Sequence, residues 1–245
     1  MSVNRHIPLL TLNNIGQHCV FQNESIETLN NIHLNIGQGE FLAITGPAGS
    51  GKSALLHILG CLKKPQEGQY LLLGESIHNQ TEKQLTHTRS KHIGWVFSNS
   101  NLIDRYSVLK NSMHPLSVGL WLKQNEKKRA RFWLNFVGLN RYAGHRPPEL
   151  SKVQQQQLAI ARAMARNPTL LLVDDPTENL SDNDTAQIMR LFKKLNQYGQ
   201  TIVLATRSQM LASQCRRQIH LLNYTIHKDI VHRPLNFQAD LRAYA

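Results

Sequence analysis

Residues 41–59 read FLAITGPAGSGKSALLHIL. Phe41–Thr45 is a short apolar run, the length of a core strand. It leads straight into GPAGSGKS, residues 46–53, which match G-x-x-x-x-G-K-[ST] at every fixed position. A helix is predicted from about Lys52 to Gly60. Strand, glycine loop and helix in that order are the context in which this pattern holds phosphate. The small residues Gly46, Pro47, Ala48, Gly49, Ser50 and Gly51 let backbone N–H groups turn inward around phosphate oxygens. The helix aims its positive end at the same place. Lys52 supplies a charge to β and γ phosphates, and the Ser53 hydroxyl is a ligand for Mg²⁺. The competing reading is a glycine-rich turn that matches by chance.

Outward from this stretch, Ile32, Leu34 and Ile36 alternate with polar residues and predict a half-buried strand. Tyr70–Leu73 and Ile93–Phe97 read as further strands. Residues 98–166 carry helical signals instead. Glu126–Phe136 is basic, with Phe132, Trp133 and Phe136 recurring as its apolar positions. Gln154–Arg166 is helical by propensity and stops before Asn167-Pro168. This span predicts a mainly helical subdomain. Leu170–Val173 suits a strand buried on both faces, and it ends in Asp174. A carboxylate there either caps the next turn or, beside the phosphate loop, holds Mg²⁺ through water. Ile188, Leu191, Phe192 and Leu195 mark one face of a helix, Gly199 its end, and Thr201–Ala205 another core strand. The expectation is an α/β fold with crossover helices. The separation of Lys52 from Asp174 is long for a simple nucleoside kinase and leaves room for the insertion. After about His227 the periodicity fades, so residues 229–245 are expected to be a peripheral tail.

The formal charge of the 245-residue chain is +12, with Lys plus Arg at 28 and Asp plus Glu at 16. Such a field favours nucleic acid or anionic lipid. The basic residues are scattered, with KKRAR at 127–131 the densest run, and no base-stacking stripe accompanies them. Cys19, Cys61 and Cys215 share no metal or redox spacing, which suits a reduced, cytoplasmic setting. The N-terminus lacks a signal-peptide pattern, and no run of about 18 apolar residues exists. Membrane association is therefore expected only through a partner.

Phe41–Leu72, HIGWVF at 92–97, QQQQLAIARA at 154–163 and LLLVDDPTENL at 170–180 together resemble ABC transporter ATPase subunits. The subgroup they look most like serves macrolide exporters and lipoprotein-release systems. The resemblance runs collinearly over about residues 8–228. It implies a P-loop domain of ABC ATPase type, with an N-terminal β portion and a helical subdomain at about 98–166. It also implies ATP and Mg²⁺ as cofactors and a second ATPase domain, as homodimer or heterodimer. Transmembrane permease subunits would hold the chain at the cytoplasmic face of the membrane, and nucleic acid is not an expected partner.

The departures from the family pattern are concentrated at hydrolysis positions. The adenine-stacking aromatic falls near Cys19, with Phe21 as its substitute. The glutamine that reaches Mg²⁺ and water falls at Ser98. The LSGGQ signature stands as LSKVQ, Leu150–Gln154, so Lys152 and Val153 replace both glycines. Ser151 and Gln154 still fit a capping box. The catalytic glutamate falls at Asp175, a carboxylate about one methylene shorter and the only base the pattern offers. The dimer-interface aspartate falls at Ser181, and the switch histidine at Arg207, which does not shuttle protons near neutrality. The combination predicts an ATP-binding transporter subunit with weak hydrolysis. The alternative is a catalytically inactive, ATP-gated structural or regulatory subunit. A soluble, nucleic-acid-associated ABC protein is a third reading; it rests on charge and would ordinarily need two fused ATPase domains.

Overall fold

The computed structural model describes residues 8–21, 24–113 and 124–232. They divide into two compact units. One holds the described residues up to Arg89 and from Asn196 onward; the other is Ser90–Leu195.

The first unit opens with long antiparallel strands, β1 (Leu10–Phe21) and β2 (Glu24–Ile36). The buried strand β3 (Phe41–Thr45) then runs into α1 (Lys52–Leu59). β4 (Glu67–Leu72) and the short β5 (Glu75–Ser76) extend the antiparallel sheet in the order β2-β1-β4-β5. α2 (Glu82–His92) follows. Its only buried residue is Leu85, so no apolar period announces it. The legible signal is the Thr81–Gln84 cap, in which Thr81 N donates to Gln84 Oε1 at 2.8 Å.

In the second unit β6 (Ile93–Val96) pairs in parallel with β7 (Leu170–Asp174), from Ile93 opposite Leu170 to Val96 opposite Val173. Between them lie α3 (Val108–Met113), α4 (Gln124–Phe136) and α5 (Lys152–Met164), the inserted helical region. α5 buries Leu158, Ala159, Ile160, Ala161 and Met164, the contact surface of a helix with neighbours on several sides. It closes with Asn167 at φ +51°, whose N–H donates to the Met164 carbonyl at 2.8 Å. α4 differs from the sequence expectation. Its buried stripe is Ala130, Leu134 and Val137, whereas Phe132 is 61% exposed. The spacing i, i+4, i+7 of those smaller residues sets the inward face, and Phe132 falls on the opposite side. α6 (Asp182–Gln197) buries Ile188, Phe192 and Leu195 as its period requires.

Returning to the first unit, β8 (Thr201–Ala205) pairs in parallel with β3, and α7 (Gln209–Ala212) leads to β9 (Arg217–Leu222), which flanks β3 on its other side. β10 (Thr225–Val231) then pairs antiparallel with β9. The regular structure therefore continues to Val231, past the boundary at 228 read from the sequence; residues 233–245 lie outside the described residues. β10 escapes sequence reading because its side chains are mostly exposed. Arg217 ties it down, donating to Asp229 at 2.7 and 2.6 Å and to Glu40 at 2.9 Å. Among the described residues no helix is long and apolar enough to cross a membrane.

Candidate nucleotide site

The loop between β3 and α1 is shaped by glycines where other residues do not fit. Gly46 has φ +148°, and a Cβ there would lie 2.4 Å from the Leu221 carbonyl oxygen. Gly51 has φ +97°, and its Cβ would lie 2.4 Å from the Thr28 carbonyl oxygen. Both combine a left-handed backbone with a close approach of main chain, which only glycine allows. The loop folds on itself through Ser50 N to the Pro47 carbonyl at 3.3 Å. α1 starts at Gly51 with no side-chain cap and no acid in its first turn. Its positive end is therefore left for an external anion.

Lys52 is 8% exposed, and its Nζ donates to the Gly46 and Pro47 carbonyls at 2.9 and 2.7 Å. The ammonium thus lies across its own loop. Ser50 Oγ is buried and has no hydrogen-bond partner among the described residues. An orphaned hydroxyl, an uncapped helix N-terminus and a folded-in ammonium are a donor set for a phosphate group, so these residues fit a nucleotide's phosphates. Ser53 follows in the first turn of α1 and is exposed. Phe21 ends β1, but its side chain lies outside the described residues.

Behind the loop sits a polar cluster that sequence reading missed. Thr45 Oγ1 donates to the Ile219 carbonyl at 3.0 Å and accepts from Gln218 Nε2 at 3.1 Å. His220 Nδ1 lies 3.1 Å from the same hydroxyl, and Gln218 also bonds Gln209. These bonds tie β3, where it enters the loop, to β9. The signal for them is weak, since Gln218 and His220 only alternate with Ile219 and Leu221 along the strand. On the other side of β3, Thr206 N donates to the Ile44 carbonyl at 3.0 Å. Arg207 follows, exposed, between Thr206 and the α7 cap Ser208.

The remaining candidates belong to the second unit. Asp174 ends β7 half-buried. Asp175 follows with φ +38° and its carbonyl accepts from Glu178 N at 3.3 Å. Ser181 caps α6, accepting from Asp184 N at 3.3 Å. Ser98 lies in a tight turn in which Ser100 and Asn101 both have positive φ, +57° and +47°. That turn is held by α5. Ser100 Oγ donates to Gln156 Oε1 at 2.5 Å, and Gln156 Nε2 donates to the Phe97 carbonyl at 3.0 Å. Arg162 donates to the Asn101 and Ser100 carbonyls at 2.6 and 2.7 Å, and burial pushes its guanidinium below the ordinary value. Gln156 and Arg162 were not singled out from the sequence; their polarity on a buried helix face was the available sign. Ser151 caps α5 by the full box, with Ser151 N on Gln154 Oε1 at 2.9 Å and Gln154 N on Ser151 Oγ at 3.4 Å. Ser98, Lys152, Gln155, Gln156 and Asn179 are among the residues that line a cavity of about 160 Å³. With Lys152 and Val153 between Ser151 and Gln154, the start of the helix is fully capped.

Strand, phosphate loop and helix, with a helical insertion and a carboxylate-ended strand, define a P-loop nucleotide-binding domain. The ABC transporter family model matches residues 29–178, and the chain belongs to that family as an ATP-binding domain. It is 38% identical over 226 residues to the ABC transporter ATP-binding protein MJ0796 of Methanocaldococcus jannaschii, covering 90% of this chain and 96% of that one. The solved dimer of MJ0796 bound to ADP and Pi superposes with a TM-score of 0.83 over 92% of this chain and all of that one. That likeness establishes the ABC ATPase fold, with its N-terminal β region and inserted helical subdomain. A lipoprotein-releasing system ATP-binding protein LolD, from Bacteroides fragilis, is 36% identical over 203 residues, 82% of this chain and 94% of its own. A macrolide export ATP-binding/permease protein MacB, from Syntrophobacter fumaroxidans, is 41% identical over 197 residues, 79% of this chain but 27% of its own. Relatives of both names stand at similar identity, so the family is established and the narrower subgroup is not separated.

Proposed function

We propose that this chain binds Mg-ATP through residues 46–53 and couples that binding to a membrane exporter or extractor, with hydrolysis slow or vestigial. The observation that carries the reading is the contrast between the two halves of the machinery. The phosphate loop keeps its fixed glycines, Lys52 and an uncapped helix N-terminus. The positions that complete hydrolysis in the family carry Ser98, Lys152, Val153, Asp175 and Arg207. In this reading Lys52 exchanges its loop carbonyls for β and γ phosphate oxygens, and Ser53 and Asp174 are the ligands assigned to Mg²⁺. If water attacks the γ phosphorus, the β–γ bridging oxygen leaves with ADP and Asp175 accepts the proton.

The macrolide-export and lipoprotein-release names among the relatives support an exporter or extractor that works with permease subunits. The dimeric MJ0796 structure supports pairing with a second ATPase domain. The second reading, a non-catalytic ATP-gated subunit, is favoured by Ser98 and Arg207, because serine is too short for the glutamine's reach and arginine does not relay a proton near neutrality. Titration with a fluorescent ATP analogue tests the shared claim. Lys52→Ala is expected to weaken binding at least tenfold with an unchanged circular dichroism spectrum. Equal affinity in the two proteins would remove the cradle assignment. Phosphate release then separates the readings: slow turnover that Lys52→Ala abolishes supports the first, and binding with no turnover supports the second.

A further inference from the structure

We propose that the outward face of α4 is a docking surface for an anionic lipid membrane, using none of residues 46–53. The helix reads QNEKKRARFWLNF, and Lys127, Lys128, Arg129 and Arg131 are all exposed. Its one acid, Glu126, turns Oε2 into the protein, so the outward charge is positive. Phe132 lies on this face, 61% exposed, one helical turn beyond Lys128 and beside Arg131. Trp133 braces it, edge-on to Phe132 at 5.2 Å and to Phe136 at 5.4 Å. Lys194 adds a further cation, its ammonium 4.7 Å from the centre of the Phe136 ring. The result is one free aromatic ring held on a convex helix and ringed by flexible cations. A ring inserted among headgroups with cations reaching anionic phosphates is the pattern of interfacial helices. Nucleic acid fits less well. Base stacking needs several open ring faces, whereas Trp133 and Phe136 are half-buried and Phe136 is covered by Lys194.

Each surface cation near an anionic membrane is worth about a fivefold gain in partitioning, and the attraction is screened by salt. The test is co-sedimentation of the full chain with vesicles of phosphatidylcholine alone or with about 30% phosphatidylserine. Binding to the anionic vesicles is expected to exceed binding to neutral ones at least tenfold, and to fall away near 1 M salt, where the screening length is about 3 Å. Lys128→Gln with Arg131→Gln is expected to lower it at least tenfold, and Phe132→Ser several-fold at unchanged charge. Lys83→Gln with Lys91→Gln removes the same charge from exposed positions on α2 and is expected to change little. Lys52→Ala is expected to bind vesicles normally, so failure here and failure of the nucleotide reading are distinguishable. Equal losses from the two double variants would reduce the effect to net charge and overturn the proposal. So would equal binding to neutral vesicles. Displacement of the chain from vesicles by a single-stranded oligonucleotide, but not by an acidic peptide, would transfer the face to nucleic acid.

Discussion

Asp175 and Cys61 show how much a single backbone or burial setting constrains chemistry. Asp175 sits at φ +38°, in the left-handed region that a short Asp side chain tolerates and longer side chains enter at a cost of about 1–2 kcal/mol. Replacing it by Glu lengthens the reach toward water but works against that backbone. Asp175→Glu alone is therefore expected to raise phosphate release only modestly, as measured under steady state; a large gain would show that reach was the sole deficit. Cys61 is buried, and burial pushes its thiol from 9.0 up to about 11, against smaller lowering effects of Tyr70 and Arg89. The folded state thus holds the proton more tightly than the unfolded one. The associated stability is fully present below pH 9 and drains away as pH rises from 9 toward about 11. Denaturant titrations across that range are expected to show falling stability, and Cys61→Ala a shallower fall. Parallel slopes for the two proteins would reject this assignment.

At the level of elements, α5 joins two of the positions on which the proposed function rests. Its first turn carries Lys152 and Val153, and its middle, through Gln156 and Arg162, holds the turn that contains Ser98. The capping box explains why Lys152 and Val153 are structurally tolerated. The bonds that start the helix come from Ser151 and Gln154 and require no glycine between them. Ser151→Ala removes the cap acceptor and is expected to cost about 1 kcal/mol, seen as a lowered midpoint in thermal or urea denaturation. No change in midpoint would mean that the exposed cap is replaced by water without loss. The same helix-level logic accounts for α4. A buried stripe of small and medium residues lets the large aromatic Phe132 remain outside.

For the molecule as a whole, the proposed hydrolysis residues act as a unit, and repair of one of them is expected to do little. Catalytic residues that act as a unit are non-additive. Asp175→Glu combined with Ser98→Gln, Arg207→His and glycines at Lys152 and Val153 is expected to raise phosphate release far more than any single change. Robust turnover by the unaltered chain, abolished by Lys52→Ala, would instead show that the substitutions are compensated. Membrane association divides in the same way. Without a partner the chain is expected to leave membranes in a high-salt wash, since basic-surface attraction is screened. Co-expressed with a permease, it is expected to sediment with membranes through that wash. Salt-resistant binding of the chain alone would contradict the first of these expectations.

Local structure was legible in the sequence where it depends on a few neighbouring residues. The glycine loop with Lys52 and Ser53, the run Phe41–Thr45, the apolar run Leu170–Val173 and the Ser151–Gln154 cap are set by steric allowance, burial and short-range hydrogen bonding, and those act within one or two turns of chain. The tertiary structure decided what depends on residues far apart. Gly46 is obligatory because the Leu221 carbonyl approaches it, and Gly51 because the Thr28 carbonyl does. β10 is a strand because β9 and Arg217 hold a largely exposed segment. Phe132 is a surface residue because Ala130, Leu134 and Val137 take the inward face. Gln156 and Arg162 acquire a role because the turn at residues 97–101 leaves carbonyls that their side chains reach. Such contacts join parts of the chain that carry no mark of one another, and only folding brings them within hydrogen-bonding or van der Waals range.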